Sequence, residues 1–127
     1  MKYLEQNYNN IFVYWIPELD GGGRTYGQQF VPVVERLFGK VDRIHEFCAG
    51  PGFIGFSLLA AGLCNSLCLS DINPLAVELL KATVKKNGLE DRVTVYLSNG
   101  LENIDESEQW DLVVSNPPHF REKIEKN

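Results

Sequence analysis

The sequence predicts a parallel, doubly wound α/β sheet. From residue 41 onward, short apolar segments typical of buried strands alternate with longer segments that carry apolar residues at helical spacing. Strands and helices that alternate in this way form parallel sheets, which bind ligands at the carboxyl ends of their strands. A glycine-rich segment, residues 50–55, lies between the first of these strands and the helix after it. The order of the elements and the position of the glycines therefore predict the same fold class.

The amino-terminal part, residues 1–40, is predicted to contain a strand, a turn and a helix. Residues 10–16 are rich in aromatic and β-branched residues, which favours a strand. Pro17 and the three glycines at 21–23 predict a flexible turn, although a lid that brings Tyr26 or Gln28 to a ligand is an alternative. Apolar residues at helical spacing predict a helix over residues 26–38.

The second part, residues 41–127, is predicted to continue the same single domain as a ligand-binding core. Its predicted strands are residues 43–48, 66–70, 92–97 and 111–115, and its predicted helices are residues 53–61 and 73–86. The second helix has clear ends, because Asn73 and Pro74 are a typical cap and first-turn pair and Asn87 with Gly88 stops it. At 127 residues, the chain is long enough for one core.

Composition limits the classes of function. Hydrophobic residues make up 44% of the chain, but no apolar run approaches the roughly 18 residues that cross a bilayer, so no membrane partner is expected. Three cysteines and the lack of an apolar leader favour a reducing, cytoplasmic location. A net charge of −5 disfavours unaided binding to a phosphate backbone.

Several polar residues are predicted to be structural. Cys64 and Cys68 are four residues apart, but no second pair of ligands completes a site, so no metal is expected. His45 lies in a predicted strand and is expected to be half-buried there. The acidic residues 102–108 are predicted to form a solvated loop.

Residues 50–55, GPGFIG, match the GxGxxG pattern of nucleoside-binding loops. Glycine permits a tight turn and close approach to a ligand, and the helix that follows presents free N–H groups. Asp71 follows Gly52 by 71 − 52 = 19 residues, at the end of the second predicted strand, where a carboxylate can accept ribose hydroxyls. Together they predict a bound nucleoside. A nicotinamide dinucleotide and S-adenosylmethionine both carry adenosine, so the motif leaves both open.

The segment Asn116-Pro117-Pro118-His119 directly follows the last predicted strand. Two consecutive prolines fix the local dihedral angles and donate no backbone hydrogen bonds, so the Asn116 side chain and the nearby carbonyls are expected to point outward from the strand end. Such acceptors beside a flat ring suit the binding of an amide or exocyclic amino group.

These motifs together resemble those of the class I S-adenosylmethionine-dependent methyltransferases, which have a Rossmann-like fold. Residues 46–52, EFCAGPG, are similar to the family's first motif, and residues 70–74, SDINP, to its ribose-binding motif. Residues 97–100, LSNG, are similar to the loop that meets the adenine. Residues 116–119, NPPH, resemble the NPPY signature of the branch that methylates amino nitrogen.

The resemblance implies S-adenosylmethionine as cofactor and a specific set of site residues. The implied cofactor-binding residues are Glu46, Cys48, Ala49, Gly50, Gly52, Phe53, Asp71, Ile72, Asn99, Gly100 and Asn116. The implied catalytic residues are Asn116, Pro117, Pro118 and His119. Glu46 would lie near the charged end of the cofactor, Asp71 would hold the ribose and Asn99 would meet the adenine edge. Ile72 would cover the adenine face, and Asn116 with the Pro117 carbonyl would receive the two hydrogens of a substrate NH2 group.

The chain departs from the family pattern in two ways. His119 replaces the usual aromatic residue of the signature, which leaves the stacking role to either His119 or Phe120. Members of the family are also longer, so the sheet is expected to be truncated after its fourth strand, and the exposed edge favours self-association.

The substrate implied by the resemblance is a protein or a nucleic acid, namely a glutamine side-chain amide or an amino group of an RNA or DNA base. Two other functions stay open. One is a cofactor-binding half-domain that has no catalysis of its own or needs a partner. The other is a nicotinamide-dependent oxidoreductase, which depends on GPGFIG and Asp71 alone.

Overall fold

The computed structural model describes residues 2–116. The strands in this range are β1 (Leu4–Tyr8), β2 (Ile11–Trp15), β3 (Arg43–Phe47), β4 (Ser66–Asp71), β5 (Val93–Leu97) and β6 (Leu112–Ser115). The helices are α1 (Gly23–Tyr26), α2 (Phe30–Phe38), α3 (Phe53–Ala60) and α4 (Pro74–Lys86). No helix in this part of the chain has the length and apolar character needed to cross a membrane.

The main sheet is parallel and confirms the predicted fold class. Its strand order is β5-β4-β3-β6, and β3 pairs in parallel with both β4 and β6. Because the chain steps in one direction from β3 to β4 to β5, right-handed crossovers place α3 and α4 on the same face of the sheet. All four carboxyl ends meet at one edge. Within the described residues β6 pairs only with β3, so it is an edge strand as expected.

A separate antiparallel hairpin precedes the sheet. Strands β1 and β2 are joined by Asn9 and Asn10, whose φ angles of 49° and 75° are those of a tight two-residue turn. Strand β2 was expected from the sequence, but β1 was not. The segment of β1, LEQNY, is mostly polar and exposed, so it has little of the apolar pattern from which a strand is predicted.

The helix predicted over residues 26–38 is divided and begins earlier. Helix α1 leads into a 3₁₀ turn over Gly27–Gln29, and α2 follows it. A Cβ atom at Gly27 would lie 2.9 Å from Phe53 Cβ, so this segment packs directly on the start of α3. Pro32 is tolerated because it lies in the first turn of α2, where its missing N–H has no helical partner.

The hydrophobic core lies between the main sheet, α3 and the hairpin. Helix α3 is buried over nearly its whole length, and full burial of one large apolar side chain contributes about 1.5–3 kcal/mol. Fully or almost fully buried members include Val13, Ile44, Ile54, Phe56, Leu58, Leu67 and Leu69. Since α3 begins immediately after the glycine-rich segment, this packing fixes that loop against the carboxyl edge of the sheet.

The opposite face of the sheet carries a polar cluster under the loop that leads to β6. Arg43 donates from Nε and Nη2 to the two carboxylate oxygens of Glu108, each at 2.9 Å, and Tyr96 donates to Glu108 at 3.0 Å. The Glu108 side chain is only 11% exposed, so the expectation that residues 102–108 are simply solvated is wrong for this residue. His45 is fully buried rather than half-buried, with Nε2 2.7 Å from Ser70 Oγ and its ring against Trp110.

Candidate functional site

A cleft of about 570 Å³ opens at the carboxyl edge of the main sheet. The predicted site residues that line it are Glu46, Cys48, Ala49, Gly50, Phe53, Asp71, Ile72 and Asn116. They come from the ends of β3, β4 and β6 and from the loop before α3. The fold therefore brings together residues that lie up to 70 positions apart, counted from Glu46 to Asn116 as 116 − 46 = 70.

The glycine-rich loop is a tight turn held by its neighbours. Cys48 and Gly50 have φ angles of 55° and 54°, in the left-handed region that favours glycine. The N–H of Gly50 donates to Asp71 Oδ2 at 2.8 Å, which ties the loop to the end of β4. Gly52 does not line the cleft. A Cβ on Gly52 would point into the core, 2.8 Å from Phe56 and 2.9 Å from Leu80.

Asp71 is oriented by two backbone N–H groups. Oδ2 accepts from Gly50 and Oδ1 accepts from Asn73 at 2.9 Å. Each carboxylate oxygen can accept more than one hydrogen bond, so both remain able to accept from a ligand. The carboxylate is half-buried and lines the cleft.

Glu46 is a buried carboxyl group, 2% exposed, on the wall of the cleft. Oε1 accepts from the N–H of Gly55 at 2.7 Å. Burial raises the pKa of Glu46 to about 8, and the nearby charge of Asp71 raises it slightly further. Hydrogen bonds from the backbone N–H groups of Gly55 and Ile54 act in the opposite direction and lower it. This shift favours the protonated form of the carboxyl near neutral pH. Gly55 was not predicted as a site residue, yet a Cβ there would lie 3.0 Å from Glu46 Oε1.

A smaller cavity of about 90 Å³ adjoins the cleft and contains the residues expected to meet an adenine. Asn99 and Gly100 line it, together with Cys48, Asp71 and Ile72, which also line the cleft. The loop is held by the neighbouring Ser98, which is 4% exposed, donates to the Gly100 carbonyl at 2.8 Å and accepts from Asn103 N–H at 3.0 Å. Ile72 is 63% exposed, so its apolar side chain has room to cover a ligand.

The far wall of the cleft comes from the segment after β2. Its members are Glu18, Leu19, Asp20, Gly21 and Gly23. The sequence did not indicate Glu18, Leu19 or Asp20 as site residues. The Leu19 carbonyl oxygen lies 3.6 Å from where a Cβ would stand on Gly50, so the two loops face each other. Neither Tyr26 nor Gln28 lines the cleft. The only available signal was the run of three glycines, which indicates a loop but not what it faces.

Asn116 follows β6 directly and lines the cleft. Its position depends on the pairing of β6 with β3. The Ser115 hydroxyl, which donates to the Phe47 carbonyl at 2.8 Å, stabilises this pairing. Pro117, Pro118 and His119 lie outside the described residues.

The cysteines have the character of unreactive thiols. Burial raises the pKa of both Cys64 and Cys68 to about 11, and burial also raises the pKa of Cys48. A thiolate is needed for nucleophilic attack or metal binding, so these surroundings disfavour both. Residues 2–116 contain no group of three or more His, Cys, Asp or Glu side chains arranged to hold a metal ion.

Comparison with known proteins agrees with this architecture. The family model described as methyltransferase small domain matches residues 13–127. A release factor glutamine methyltransferase of Clostridium acetobutylicum is 37% identical over 81 residues, which cover 63% of this chain and 28% of that protein. Ribosomal RNA small subunit methyltransferase C of Actinobacillus pleuropneumoniae is 38% identical over 113 residues, which cover 86% of this chain and 32% of that protein.

Solved structures show the same fold. The tRNA (uracil-54, C5)-methyltransferase of Pyrococcus abyssi, in complex with S-adenosyl-L-homocysteine, superposes with a TM-score of 0.68 at 18% identity. The match covers 93% of this chain and 29% of that structure. The chain thus spans about a third or less of the length of these relatives. The parallel sheet, the glycine-rich loop and the family match over residues 13–127 show that the chain belongs to the methyltransferase small domain family.

Proposed function

We propose that this chain binds S-adenosylmethionine and transfers its methyl group to an amide or exocyclic amino nitrogen. The observation that supports this most directly is the convergence of three motifs on one cleft. The glycine-rich loop, Asp71 and Asn116 come from different strand ends and line the same cavity. All three are needed if a nucleoside cofactor and a substrate nitrogen are to meet.

The cofactor-binding residues are proposed from their positions. Asp71 lies at the end of β4 with both oxygens facing N–H groups that fix its orientation, so it is placed to accept the ribose hydroxyls. Asn99, Gly100 and the exposed Ile72 surround the adjoining cavity, which suits the adenine. Glu46 lines the main cleft but not the adjoining cavity, so we assign it to the methionine end of the cofactor.

The bound cofactor would supply a methyl group on a positively charged sulfur. Asn116 would accept one hydrogen of the substrate NH2 group and the Pro117 carbonyl the other. These bonds would orient the nitrogen lone pair toward the cleft and favour a pyramidal nitrogen, which is more nucleophilic than a planar amide nitrogen. After transfer the nitrogen is cationic and acidic enough to lose its proton to water, so the residues at the rim need not act as bases.

A protein substrate is our first choice, with an RNA or DNA base as the second. The motif fits either, and one relative named above is named for a glutamine and the other for ribosomal RNA. The net charge of −5 favours a peptide, since binding to a phosphate backbone depends largely on Lys and Arg. Three free cysteines fit a reducing compartment, so we expect the reaction to take place in the cytoplasm.

We treat residues 1–127 as one methyltransferase domain, and among the described residues the segment before residue 41 packs on the helices of the core. The edge strand β6 has an unpaired side among the described residues, and strands of this kind pair with other chains. A partner, or a second copy of the chain, would therefore be able to pair with β6. Light scattering, which gives the mass in solution, tests self-association.

Isothermal titration with S-adenosylhomocysteine tests the cofactor assignment. We expect micromolar binding by the purified chain and a loss of at least tenfold in Asp71→Ala, because the ribose loses its acceptor. Asp91→Ala, at an exposed turn position, is the matched control and is expected to bind as the wild type does. Equal binding by Asp71→Ala would refute the ribose assignment.

Methyl transfer to a glutamine-containing peptide and to RNA tests the substrate assignment. Asn116→Ala is expected to lose transfer while it keeps cofactor affinity within about threefold, because its proposed contact is to the substrate. Transfer to RNA alone would reverse our order of preference. Full transfer activity in Asn116→Ala would remove Asn116 from the proposed mechanism.

A further inference from the structure

A second cavity, of about 380 Å³, lies outside the cleft between the β1–β2 hairpin and α2. Residues 7–9 line it on the side of the hairpin, Val31 and Pro32 line it on the side of α2, and Ser57 and Ala60 belong to α3. The hairpin turn is fixed here, because Asn9 Nδ2 donates to the Ala60 carbonyl at 3.0 Å. No charged side chain of the described residues lines this cavity, whose volume is within the range of ligand sites.

The Ser57 hydroxyl is the first indication that this cavity has an occupant. Ser57 is 3% exposed, and its hydroxyl makes no hydrogen bond of good geometry within residues 2–116. The Tyr8 hydroxyl, in the same lining, donates instead to the Arg24 carbonyl at 3.3 Å. Buried hydroxyl groups ordinarily have partners, because an unpaired one loses its hydrogen bonds to water without compensation. A polar group of a ligand in the cavity would supply this partner.

The outer edge of β1 beside the cavity is open, which is an independent observation. Asn7 lies directly opposite Phe12 in the hairpin, and Glu5 lies opposite Tyr14. Phe12 and Tyr14 donate their N–H groups to side chains of α4, so these two pairs make no hydrogen bonds across the hairpin. The backbone N–H and carbonyl groups of Glu5 and Asn7 therefore point away from β2. Within residues 2–116 no protein group bonds to them.

The open edge and the cavity are continuous, because Asn7 belongs to both. We call the outer edge of β1 together with this cavity the hairpin groove. At one end of β1, Leu4 pairs with Trp15, after which the chain continues into the far wall of the cleft. Phe53 lines the cleft and Ser57 lines the cavity, and the two residues are one turn apart in α3, about 6 Å along its axis. A strand added to β1 from the cavity would therefore leave the groove beside the cleft.

We propose that the hairpin groove binds an extended, uncharged segment of a protein substrate, which adds a strand to β1 and places a polar side chain in the cavity. This inference depends on the proposed function, because it concerns the protein substrate preferred there. The alternating N–H and carbonyl groups of an extended peptide match those of an open strand edge. The lining offers carboxamides and hydroxyls without charge, which suits an asparagine, glutamine, serine or threonine side chain and does not suit a phosphate backbone.

An array of peptides, each with randomised uncharged residues around one glutamine, tests this inference. The peptides have about 12 residues, which at about 3.3 Å per residue is enough to pair with β1 and to reach the cleft. Binding of the 127-residue chain is measured with S-adenosylhomocysteine present. Glu5→Pro removes an outward N–H and adds a ring at the edge, and it leaves the hydrogen bonds of the hairpin intact. We expect this variant to lose at least tenfold in affinity for the peptides that bind the wild type.

Ser57→Ala tests the cavity and is expected to lose about threefold in affinity for the same peptides, since one hydrogen bond is removed. Glu90→Pro is the matched control for Glu5→Pro. It makes the same change at the second position of an exposed turn, where the Arg92 N–H donates to the Leu89 carbonyl and where proline is favoured. We expect it to bind the peptides as the wild type does. All three variants are expected to keep their affinity for S-adenosylhomocysteine within about twofold, which shows that they are folded.

Hydrogen exchange is a second readout. The best-binding peptide of the array is expected to slow exchange at the N–H groups of Glu5 and Asn7 at least tenfold, because each gains an acceptor. Unchanged exchange at both positions would overturn the inference. Equal peptide binding by the wild type and Glu5→Pro would also overturn it, as would an array on which the wild type binds no peptide.

Two other occupants of the hairpin groove are outcomes of the same experiments. A mass in solution that halves in Glu5→Pro would assign the edge of β1 to a second copy of the chain, and RNA bound more weakly by Glu5→Pro than by the wild type would assign it to nucleic acid. Either result would overturn the inference. The titration with S-adenosylhomocysteine separates its failure from that of the proposed function. A chain that binds S-adenosylhomocysteine but no peptide leaves the cofactor assignment intact, whereas a folded chain that binds peptides but no S-adenosylhomocysteine refutes that assignment alone.

Discussion

The side chain of Asn87 pairs with the backbone of Phe12 as a neighbouring β-strand would. Phe12 N–H donates to Asn87 Oδ1 at 2.9 Å, and Asn87 Nδ2 donates to the Phe12 carbonyl at 2.9 Å. One turn earlier in α4, Thr83 Oγ1 accepts from the N–H of Tyr14 at 3.0 Å. Helix α4 thus satisfies the open edge of β2. It also holds the hairpin in place, and with it the segment that forms the far wall of the cleft.

Removal of this pairing is expected to destabilise the protein. Asn87→Ala leaves a part-buried N–H and carbonyl of Phe12 without partners, which costs about 1–3 kcal/mol in the free energy of unfolding. Urea unfolding followed by circular dichroism measures the loss. Lys85→Ala, on an exposed position of the same helix, is the control and is expected to change stability by less than about 0.5 kcal/mol. Equal stability of the two variants would show that the pairing is not important for the hairpin.

Glu46 is expected to make stability depend on pH in the absence of ligand. Its pKa rises from 4.5 to about 8 on folding, so between these values the folded state holds a proton that the unfolded state has lost. Stability from this group is complete below pH 4.5 and is lost as the pH rises toward about 8, with a slope of at most about 1.4 kcal/mol per pH unit. Urea unfolding at several pH values measures the slope.

Glu46→Gln is the matched variant, because glutamine keeps the acceptor oxygen for the Gly55 N–H and cannot titrate. We expect its stability to change less with pH than that of the wild type over the same range. Parallel pH profiles for the two proteins would mean that Glu46 ionises in the folded state near its ordinary pKa.

Gly55→Ala tests the close contact between α3 and the sheet. The added Cβ would lie 2.9 Å from Leu69 Cδ2 and 3.0 Å from Glu46 Oε1, so the helix must shift. Overpacking of this kind costs about 1–3 kcal/mol, more than the gain that alanine normally brings to a helix. Ser57→Ala in the same helix is the control. The Ser57 hydroxyl is buried and makes no hydrogen bond of good geometry in residues 2–116, so its loss is expected to change stability by less than about 1 kcal/mol. A stabilised Gly55→Ala would contradict the contact.

Glu108 is expected to matter for stability although it lies in an acidic loop. Glu108→Gln removes the charge that pairs with Arg43 at 2.9 Å, and a part-buried charge left without its partner costs about 1–3 kcal/mol. Glu106→Gln, exposed in the same loop, is expected to have no measurable effect. Thermal unfolding distinguishes the two variants. Equal melting temperatures would mean that Glu108 behaves as an ordinary solvated residue.

Burial raises the pKa of Glu108, but the hydrogen bonds from Arg43 and Tyr96 outweigh it and leave the pKa below its ordinary value. A carboxyl group of this kind contributes stability above pH 4.5, and that contribution is lost as the pH falls through its folded pKa. The difference in stability between the wild type and Glu108→Gln is therefore expected to shrink on acidification, the opposite direction from the effect at Glu46.

The sequence by itself determined the main sheet and the edge of it at which the cleft lies. The strands are short segments rich in apolar and β-branched residues, and the helices carry apolar residues at their own period, so both were recognisable locally. The cap of α4 is equally local, since Asn73 Oδ1 accepts from Leu75 N–H at 2.9 Å, two residues away. Because parallel strands all end at one edge, the order of the motifs was sufficient to place the glycine-rich loop, Asp71 and Asn116 together.

Only the tertiary structure decided the rest. Strand β1, the acidic far wall and the partner of Glu108 have no pattern of their own in the sequence. Phe12 and Asn87 are 75 residues apart, and Arg43 and Glu108 are 65 apart. A polar side chain has the same appearance in the sequence whether it faces water or a buried partner, and the choice is made by the packing of distant segments. Glu18 and Asp20 therefore line the cleft, although the sequence of their segment predicted only a turn and not what the turn would contact.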